Sequence, residues 1–332
     1  MKLKKVKTFL RNDPHVRPLL ILAVCILLLA AADWGQGRFL SATTPFSMLQ
    51  IFANGAMVAL GLGLSMMIRE FDLSVVGIFA ATGCVAVLTG EVNPWLGIGY
   101  ALAIGLAAGV IQGLIIVRFA LGSVGVTLGG LLIFVGVAYV LTESRTVPYE
   151  NLAVALFVNR PLAGIFSLRS LICVAVFAAA AMVVGFTRLG RDLIAIGSDR
   201  RAAVIAGVNV NALIIGVFAF SGFCAALSGA LLSYSLASAT PQGLSDVIVP
   251  AAAAAILGGV SLGGGTGRPL GIATGVLILA ALRSGLNAVG APPFVNDVAM
   301  GAVLFTVAIL DGPYLMRRMG GAARRVRGLG LK

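Results

Sequence analysis

Apolar residues run along this chain in long unbroken stretches, not in alternation with polar ones. Ten such stretches lie at roughly 17–32, 46–68, 72–90, 95–117, 121–141, 168–187, 212–236, 247–262, 269–286 and 294–312, with short polar gaps between most of them. About 20 mostly apolar residues in a helix cross the roughly 30 Å hydrocarbon core of a bilayer. Lipid satisfies no backbone polar group whereas a helix satisfies its own, so each stretch is predicted to be helical. A membrane barrel would need strands of about ten residues with apolar and polar positions alternating, and none of the stretches alternates. The eighth stretch departs from the others. Residues 247–262 make only about 24 Å of helix, with Pro250 near the start and Gly258-Gly259 near the end. This predicts a tilted or broken helix, of the kind that lines substrate paths in transporters.

The pattern therefore predicts an all-α integral membrane protein of about ten transmembrane helices. A single transmembrane domain spans 17–316, between basic tails at 1–16 and 317–332. Composition agrees: 59% of the 332 residues are hydrophobic and 11% charged, against about 25% charged in a soluble domain. No length remains for a sizeable soluble domain. The N-terminal tail, with Lys2, Lys4, Lys5, Lys7, Arg11 and Arg17, followed by the apolar run to Ala32, has the look of a signal peptide. The run ends in Asp33-Trp34 and further spans follow, so it is read as an uncleaved first helix.

The net charge of +12 would suggest nucleic acid in a soluble protein. Here it sets orientation. With the N-terminus in the cytoplasm and the helices alternating, 19 of the 24 Lys and Arg residues fall on the cytoplasmic side. Only Arg38, Arg145, Arg160, Arg169 and Arg283 fall outside. Retention of basic residues in the cytoplasm supports that topology and an even number of spans, with both tails inside.

Two gaps are longer than a turn. The outer one, 142–167, carries Glu143, Arg145, Pro148, Glu150 and Pro161. The inner one, 188–211, has mixed charge and helical composition, and is predicted to be a short helix at the membrane surface. Glycines recur at a spacing of four, Gly105, Gly109 and Gly113 on the fourth span and Gly271 and Gly275 on the ninth. That spacing lets helix backbones approach closely, for ordinary bundle packing or for a sliding surface.

Candidate chemistry is sparse. Cys25, Cys84, Cys173 and Cys224 all lie inside apolar runs without a CxxC pair and read as buried thiols, not a disulfide framework or metal site. The run Gly263-Gly264-Gly265-Thr266-Gly267-Arg268 lacks the Lys-Ser/Thr ending of a phosphate loop and is read as a tight cytoplasmic turn. The only histidine, His15, is in the N-terminal tail. No catalytic residue or metal ligand set is assigned. All twelve acids fall at or near predicted helix ends, while Gln50, Asn54, Gln112 and Thr127 are neutral polar residues within spans. Intramembrane charges usually mark ion coupling, so this pattern suits a path for a neutral polar solute. Asp72 and Ser74, opening the third span, are expected to cap its first turn. Asn287 either ends the ninth helix or faces the path.

The ordered elements then resemble a known family. Ala195-Ile196-Gly197-Ser198-Asp199, Ala202-Ala203 and Ala206-Gly207-Val208-Asn209-Val210 resemble the cytoplasmic coupling segment of bacterial ATP-binding-cassette (ABC) importer permeases. The branch is that of the ribose, xylose, galactoside and autoinducer-2 permeases, distantly related to branched-chain amino-acid permeases. Leu257-Gly258-Gly259-Val260-Ser261-Leu262 with Gly264-Gly265 and Gly267-Arg268 is similar to its glycine signature. Phe71-Asp72-Leu73-Ser74-Val75 and Gly285-Leu286-Asn287 also fit.

The resemblance implies an ABC-importer permease fold of about ten helices in the bacterial inner membrane. It implies partners: a second permease copy or paralogue, two ATPase subunits, and an extracytoplasmic solute-binding protein. ATP and magnesium would bind the ATPase partner, leaving this chain without a cofactor and without enzymatic activity of its own. Segment 188–211 would seat in a groove of the ATPase, with Arg191, Gly197, Asp199, Arg200, Arg201 and Ala203 at the coupling element. Asn54, Gln112 and Asn287 are the expected path residues. Asp72, Ser74, Gly258, Gly259, Gly264 and Gly265 carry the structural signature. Arg69-Glu70 stands where the family usually has Gly-Gly, Arg200-Arg201 stands where an acidic residue is common, and the acid expected near Pro250 is represented only by Asp246. The expected function is import of a sugar or similar polar solute by alternating access. The alternatives are a stand-alone secondary transporter or channel, and a membrane scaffold or receptor.

Overall fold

The structure, a computed structural model of the chain, describes residues 16–33, 37–242, 247–303 and 305. The basic tails, Asp246 and the end of the tenth apolar stretch lie outside the described residues, apart from residue 16 of the N-terminal tail.

Every apolar stretch that is described is helical. The elements are α1 (Val16–Ala32), α2 (Thr44–Met67), α3 (Val75–Thr89), α4 (Pro94–Phe119), α5 (Ser123–Leu141), β1 (Val147–Pro148), α6 (Leu152–Asn159), α7 (Leu168–Phe186), α8 (Arg188–Ser198), α9 (Arg200–Ile205), α10 (Val210–Ser235), β2 (Ser238–Ala239), α11 (Ile248–Leu257) and α12 (Pro269–Ala288). The tenth stretch is helical from 293 to 303. Among the described residues, α2, α4, α5, α7, α10 and α12 are long and apolar enough to cross a membrane, and the apolar helices in α1, α3 and α11 are shorter.

The eighth stretch is a short, broken helix, as its length and glycines predict. Its helix, α11, stops at Leu257, about 15 Å after it starts, which is half a bilayer and not a full span. The terminator is Gly259, whose φ of 90° few other residues adopt. Gly259 N donates to Ile256 O and Val260 N to Ala255 O, the paired bonds that satisfy the last carbonyls of a helix. Val260–Leu262 then run into the glycine turn.

Helix α10 is the hub, packing against α4, α3 and α2, while α12 packs against α2, α11 and α1. Helix α3 is apolar on all sides and is buried on nearly all of them, as a helix at the centre of a bundle must be. Glycine sets the closest approach. A Cβ on Gly105 would lie 2.5 Å from Gly222 O, and one on Gly109 2.9 Å from Ala219 Cα, both on α10. A Cβ on Gly258 would lie 2.7 Å from Ile272 N on α12. The four-residue glycine spacing thus serves bundle packing in this conformation.

The connections sort into two ends. At one end Phe71 N donates to Ser123 Oγ (3.1 Å), and the α2–α3, α8–α9 and α11–α12 connections meet. At the other end β1 and β2 pair antiparallel, Val147 with Ala239 and Pro148 with Ser238. There Tyr149 Oη donates to Gly90 O (2.8 Å), Tyr234 Oη to Pro94 O (2.9 Å) and Asn159 Nδ2 to Ser235 O (2.9 Å). The Tyr149 and Tyr234 rings stack 4.8 Å apart. Loops following alternate spans therefore share an end.

Candidate functional site

The element expected to couple motion is two helices, not one. Helix α8 buries Gly190, Leu193, Ile196 and Gly197 and exposes Arg191, Ile194 and Ser198. That spacing of three and four makes an amphipathic surface helix. It ends at Asp199, whose extended backbone (φ −153°, ψ 105°) breaks the run. Asp199 then caps α9, its Oδ1 accepting from Arg201 N (3.0 Å) and Ala202 N (3.1 Å). Both amides are orphans of the first turn. Exposed apolar residues remain on this polar end: Leu189, Val204 and Ile205, the last 88% exposed.

Three segments distant in sequence hold the junction. Arg69 sits at φ 64° just past α2, which swings the chain back over the helix end. Its Nε donates to Gly197 O (2.6 Å) and its Nη2 to Ser198 O (2.8 Å). Those carbonyls close α8, where acceptors are unsatisfied and the helix dipole favours a cation. Gly265 N donates to Met67 O (2.8 Å). Gly264 and Gly265 adopt φ values of 69° and 73°, so the turn needs glycine for its backbone as well as for space. A Cβ on Gly197 would overlap Met67 O and Gly265 N and lie 2.9 Å from Gly265 Cα. Arg200 Nη1 pairs with Glu70 Oε1 at 3.0 Å, with Arg200 half exposed. One residue of each unusual pair thus meets the other, Glu70 with Arg200, while Arg69 binds the end of α8.

Of the expected coupling residues, Arg191, Asp199, Arg200 and Arg201 are exposed, whereas Gly197 and Ala203 are buried against this chain's own residues. Gly197 and Ala203 thus serve the packing of the element, and the four exposed residues are the ones open to a partner.

Asp72 and Ser74 also differ from expectation. Ser74 occupies the N-cap position of α3, but its side chain accepts no cap bond. Its Oγ and its N donate instead to Asp72 Oδ1 (2.6 and 3.1 Å). Asp72 Oδ2 accepts from Ser221 Oγ on α10 (2.7 Å). The carboxylate, 1% exposed, therefore ties the α3 entry to the hub helix. α10 approaches α2 closely at the same place: a Cβ on Gly61 would lie 2.9 Å from Ser221 Cα.

The three expected path residues each meet a different neighbour. Asn54 on α2 lies beside α10, its O accepting from Ser228 Oγ (3.2 Å). Gln112 on α4 faces α5, its Oε1 2.9 Å from where a Gly130 Cβ would be. Asn287 at the end of α12 accepts a bond from Asn296 Nδ2 (3.4 Å). Asn54 Oδ1 and both polar atoms of the Gln112 side chain are buried without a partner.

Sequence reasoning missed Arg169. Counted as an outer-loop residue, it is 4% exposed in the first turn of α7. Its Nη2 donates to Gln50 Oε1 (2.7 Å) on α2. Among the described residues, the buried acids and bases are Asp33, Asp72 and Arg169, where the distribution of acids suggested no charge within the bundle. The signal that would have found Arg169 is its position two residues into an apolar run. Among the described residues, no cluster of His, Cys, Asp and Glu is placed to hold a metal ion.

Residues 44–308 match the family described as branched-chain amino acid transport system / permease component. The chain is 32% identical over 299 residues to the ribose import permease of Escherichia coli strain K12, covering 87% of this chain and 92% of that protein. It is 31% identical over 284 residues to the D-allose transport system permease of the same strain, covering 81% and 84%. It is 29% identical over 318 residues to the autoinducer 2 import system permease of Yersinia enterocolitica, covering 94% and 86%. No solved structure matches the chain. With its family match running from α2 through the last described helix, and with spans to match, this multi-pass membrane protein belongs to the branched-chain amino acid transport system permease family.

Proposed function

We propose that this chain forms the translocation pathway of an ATP-driven importer for a sugar or similar small polar solute, in the bacterial inner membrane. It crosses the bilayer about ten times with both basic tails in the cytoplasm. The end bearing α8 and α9 faces the cytoplasm, because 19 of 24 basic residues fall on that side. Two ATPase subunits bind there and supply ATP and magnesium chemistry. A second copy or paralogue completes the membrane dimer, and an external binding protein delivers the solute to the end bearing β1 and β2. The sugar class rests on the relatives' names, ribose and allose among them.

The observation that carries the reading is the α8–α9 element. It exposes Leu189, Val204 and Ile205 alongside Arg188, Arg191, Arg200 and Arg201, and exposed apolar side chains on a polar end suit a protein contact. The element is bonded to the end of α2 through Arg69 and packed closely against the glycine turn after α11 at Gly265. Closure of an ATPase pair gripping it would move those helices with it. Arg201 gives the cleaner test, since its side chain is exposed whereas Arg200 also pairs with Glu70. Arg201→Glu is expected to weaken co-purification with the ATPase and to lower ATP-driven uptake in vesicles. Full association and uptake in that variant would refute the coupling assignment. Gradient-driven uptake by this chain alone would favour the secondary-transporter reading instead.

A further inference from the structure

Arg169 is placed where a cation is least stable. It is almost wholly buried. Among the described residues, no carboxylate pairs with it. It sits in the first turn of α7, at the end where a helix dipole repels positive charge. The nearby serine hydroxyls bring no relief, since Ser167 and Ser170 close a capping box on each other. Only Nη2 is bonded, to the side chain and backbone of Gln50. Nε and Nη1 are buried without a partner, and so is Gln50 Nε2. Buried donors left unmade are costly, charged ones most of all.

A fourth orphan lies on the same face. Asn54 is one turn along α2 from Gln50, a spacing of four that puts both on one side of the helix. Asn54 Oδ1 is a buried acceptor without a partner. Gln50 and Asn54 are only half-buried as residues, so this face of α2 is not sealed. The Phe52 and Phe177 rings, 5.7 Å apart, hold α2 against α7 beside the cluster.

We propose that Arg169, Gln50 and Asn54 form a solute subsite in the half of the pathway away from α8 and α9, and that its ligand is a vicinal diol of a polyhydroxylated solute. Hydroxyl oxygens accept from Arg169 and Gln50, and a hydroxyl hydrogen is donated to Asn54. A carboxylate would satisfy the donors alone, and an apolar group neither. The subsite rests on the pathway reading and adds the contacts that recognise the solute there.

The test uses the chain assembled with its ATPase and binding protein in proteoliposomes, with D-ribose and D-allose as probes. Equilibrium binding of the same sugars to the purified full chain in nanodiscs runs in parallel. Co-purification with the ATPase checks folding. Arg169→Gln and Gln50→Leu are expected to assemble normally and to lower uptake at limiting sugar, and binding, by about ten-fold or more. Arg169→Lys is expected to fall between. Gln50→Leu leaves the charge in place, so it reports even if Arg169→Gln fails to assemble. Unchanged uptake and binding in an assembled Arg169→Gln or Gln50→Leu overturns the subsite and leaves the importer reading standing. Wild-type binding that Gln50→Leu abolishes, without ATP-driven uptake, sustains the subsite and sinks the importer reading. Neither binding nor uptake by wild type overturns both.

Discussion

Replacing Gly197 by alanine places one methyl group at the junction of α8, α2 and the glycine turn. A side-chain carbon ordinarily keeps 3.4–4 Å from its neighbours. Here the new Cβ would start 2.9 Å from Gly265 Cα and closer still to Met67 O and Gly265 N, all of them backbone. Backbone cannot rotate out of the way as a side-chain tip does, so the segments must separate by about 0.5 Å or more. Overpacking of this kind costs about 1–3 kcal/mol. The separation also stretches the Arg69 Nε bond to Gly197 O, now 2.6 Å, and the Gly265 N bond to Met67 O, now 2.8 Å. Weakening a hydrogen bond from a charged donor and a backbone bond adds about 1–2 kcal/mol. The sum is about 2–5 kcal/mol. In thermal unfolding of the purified 332-residue protein, at about 1.4 °C per kcal/mol from the per-residue unfolding entropy, this is a fall in Tm of roughly 3–7 °C. ATP-driven uptake per ATP hydrolysed should fall as well, because the fastening of α8 to α2 is what is loosened. Gly216→Ala is the control. It is an exposed helical position on α10 with open space around its Cβ, where alanine is neutral or stabilising by about 0.5–1 kcal/mol. A Gly197→Ala protein with wild-type Tm and coupling would refute the claim that backbone contact fastens the coupling helices.

Asp72→Ala should destabilise by about 3 kcal/mol or more, since it strands Ser74 N, Ser74 Oγ and Ser221 Oγ in a buried site at about 1–3 kcal/mol each. Asp72→Asn should cost less, because the serine hydroxyls can turn to accept from the amide; equal Tm losses in the two variants would contradict this. Gly109→Ala should cost about 1–3 kcal/mol by pushing α4 off Ala219 of α10. Gly99→Ala on the same helix, with nothing near its Cβ, should leave Tm unchanged, and a similar loss at both positions would reduce the effect to glycine content alone.

Much of the fold is legible along the chain because lipid imposes a one-dimensional rule. A run such as 95–117 must be helical whatever it packs against, and α4 covers it. The glycine signature is legible for a similar reason: Gly259, Gly264 and Gly265 sit at φ values that few other residues accept. The ending of α11 at Leu257 was less visible. Val260–Leu262 is as apolar as the helix before it, and hydropathy does not report a change in backbone dihedral. The site was legible in part. Segment 188–211 declared itself as a surface helix by charge and composition, but the break at Asp199 depends on a side chain that caps the next helix. Gln112 and Asn287 looked like path residues because they are polar within spans, yet polarity does not say which neighbour a residue faces.

Sequence alone determined the solvent, the helical class, the distribution of basic residues among the loops and the presence of a surface helix within 188–211. Each of these follows from local composition, since a helix closes its own hydrogen bonds and a basic loop carries its charge wherever it lies. Tertiary structure decided what those local pieces do to each other. Arg69 and Glu70 are 128 and 130 positions from the residues they bind, and Asp72 is 149 from Ser221. Arg169 is 119 from Gln50. Only packing brings such groups together, and only packing makes a loop arginine into a buried cation. The charges of the bundle interior, and with them the proposed solute contacts, are properties of the assembled helices and not of any stretch of chain.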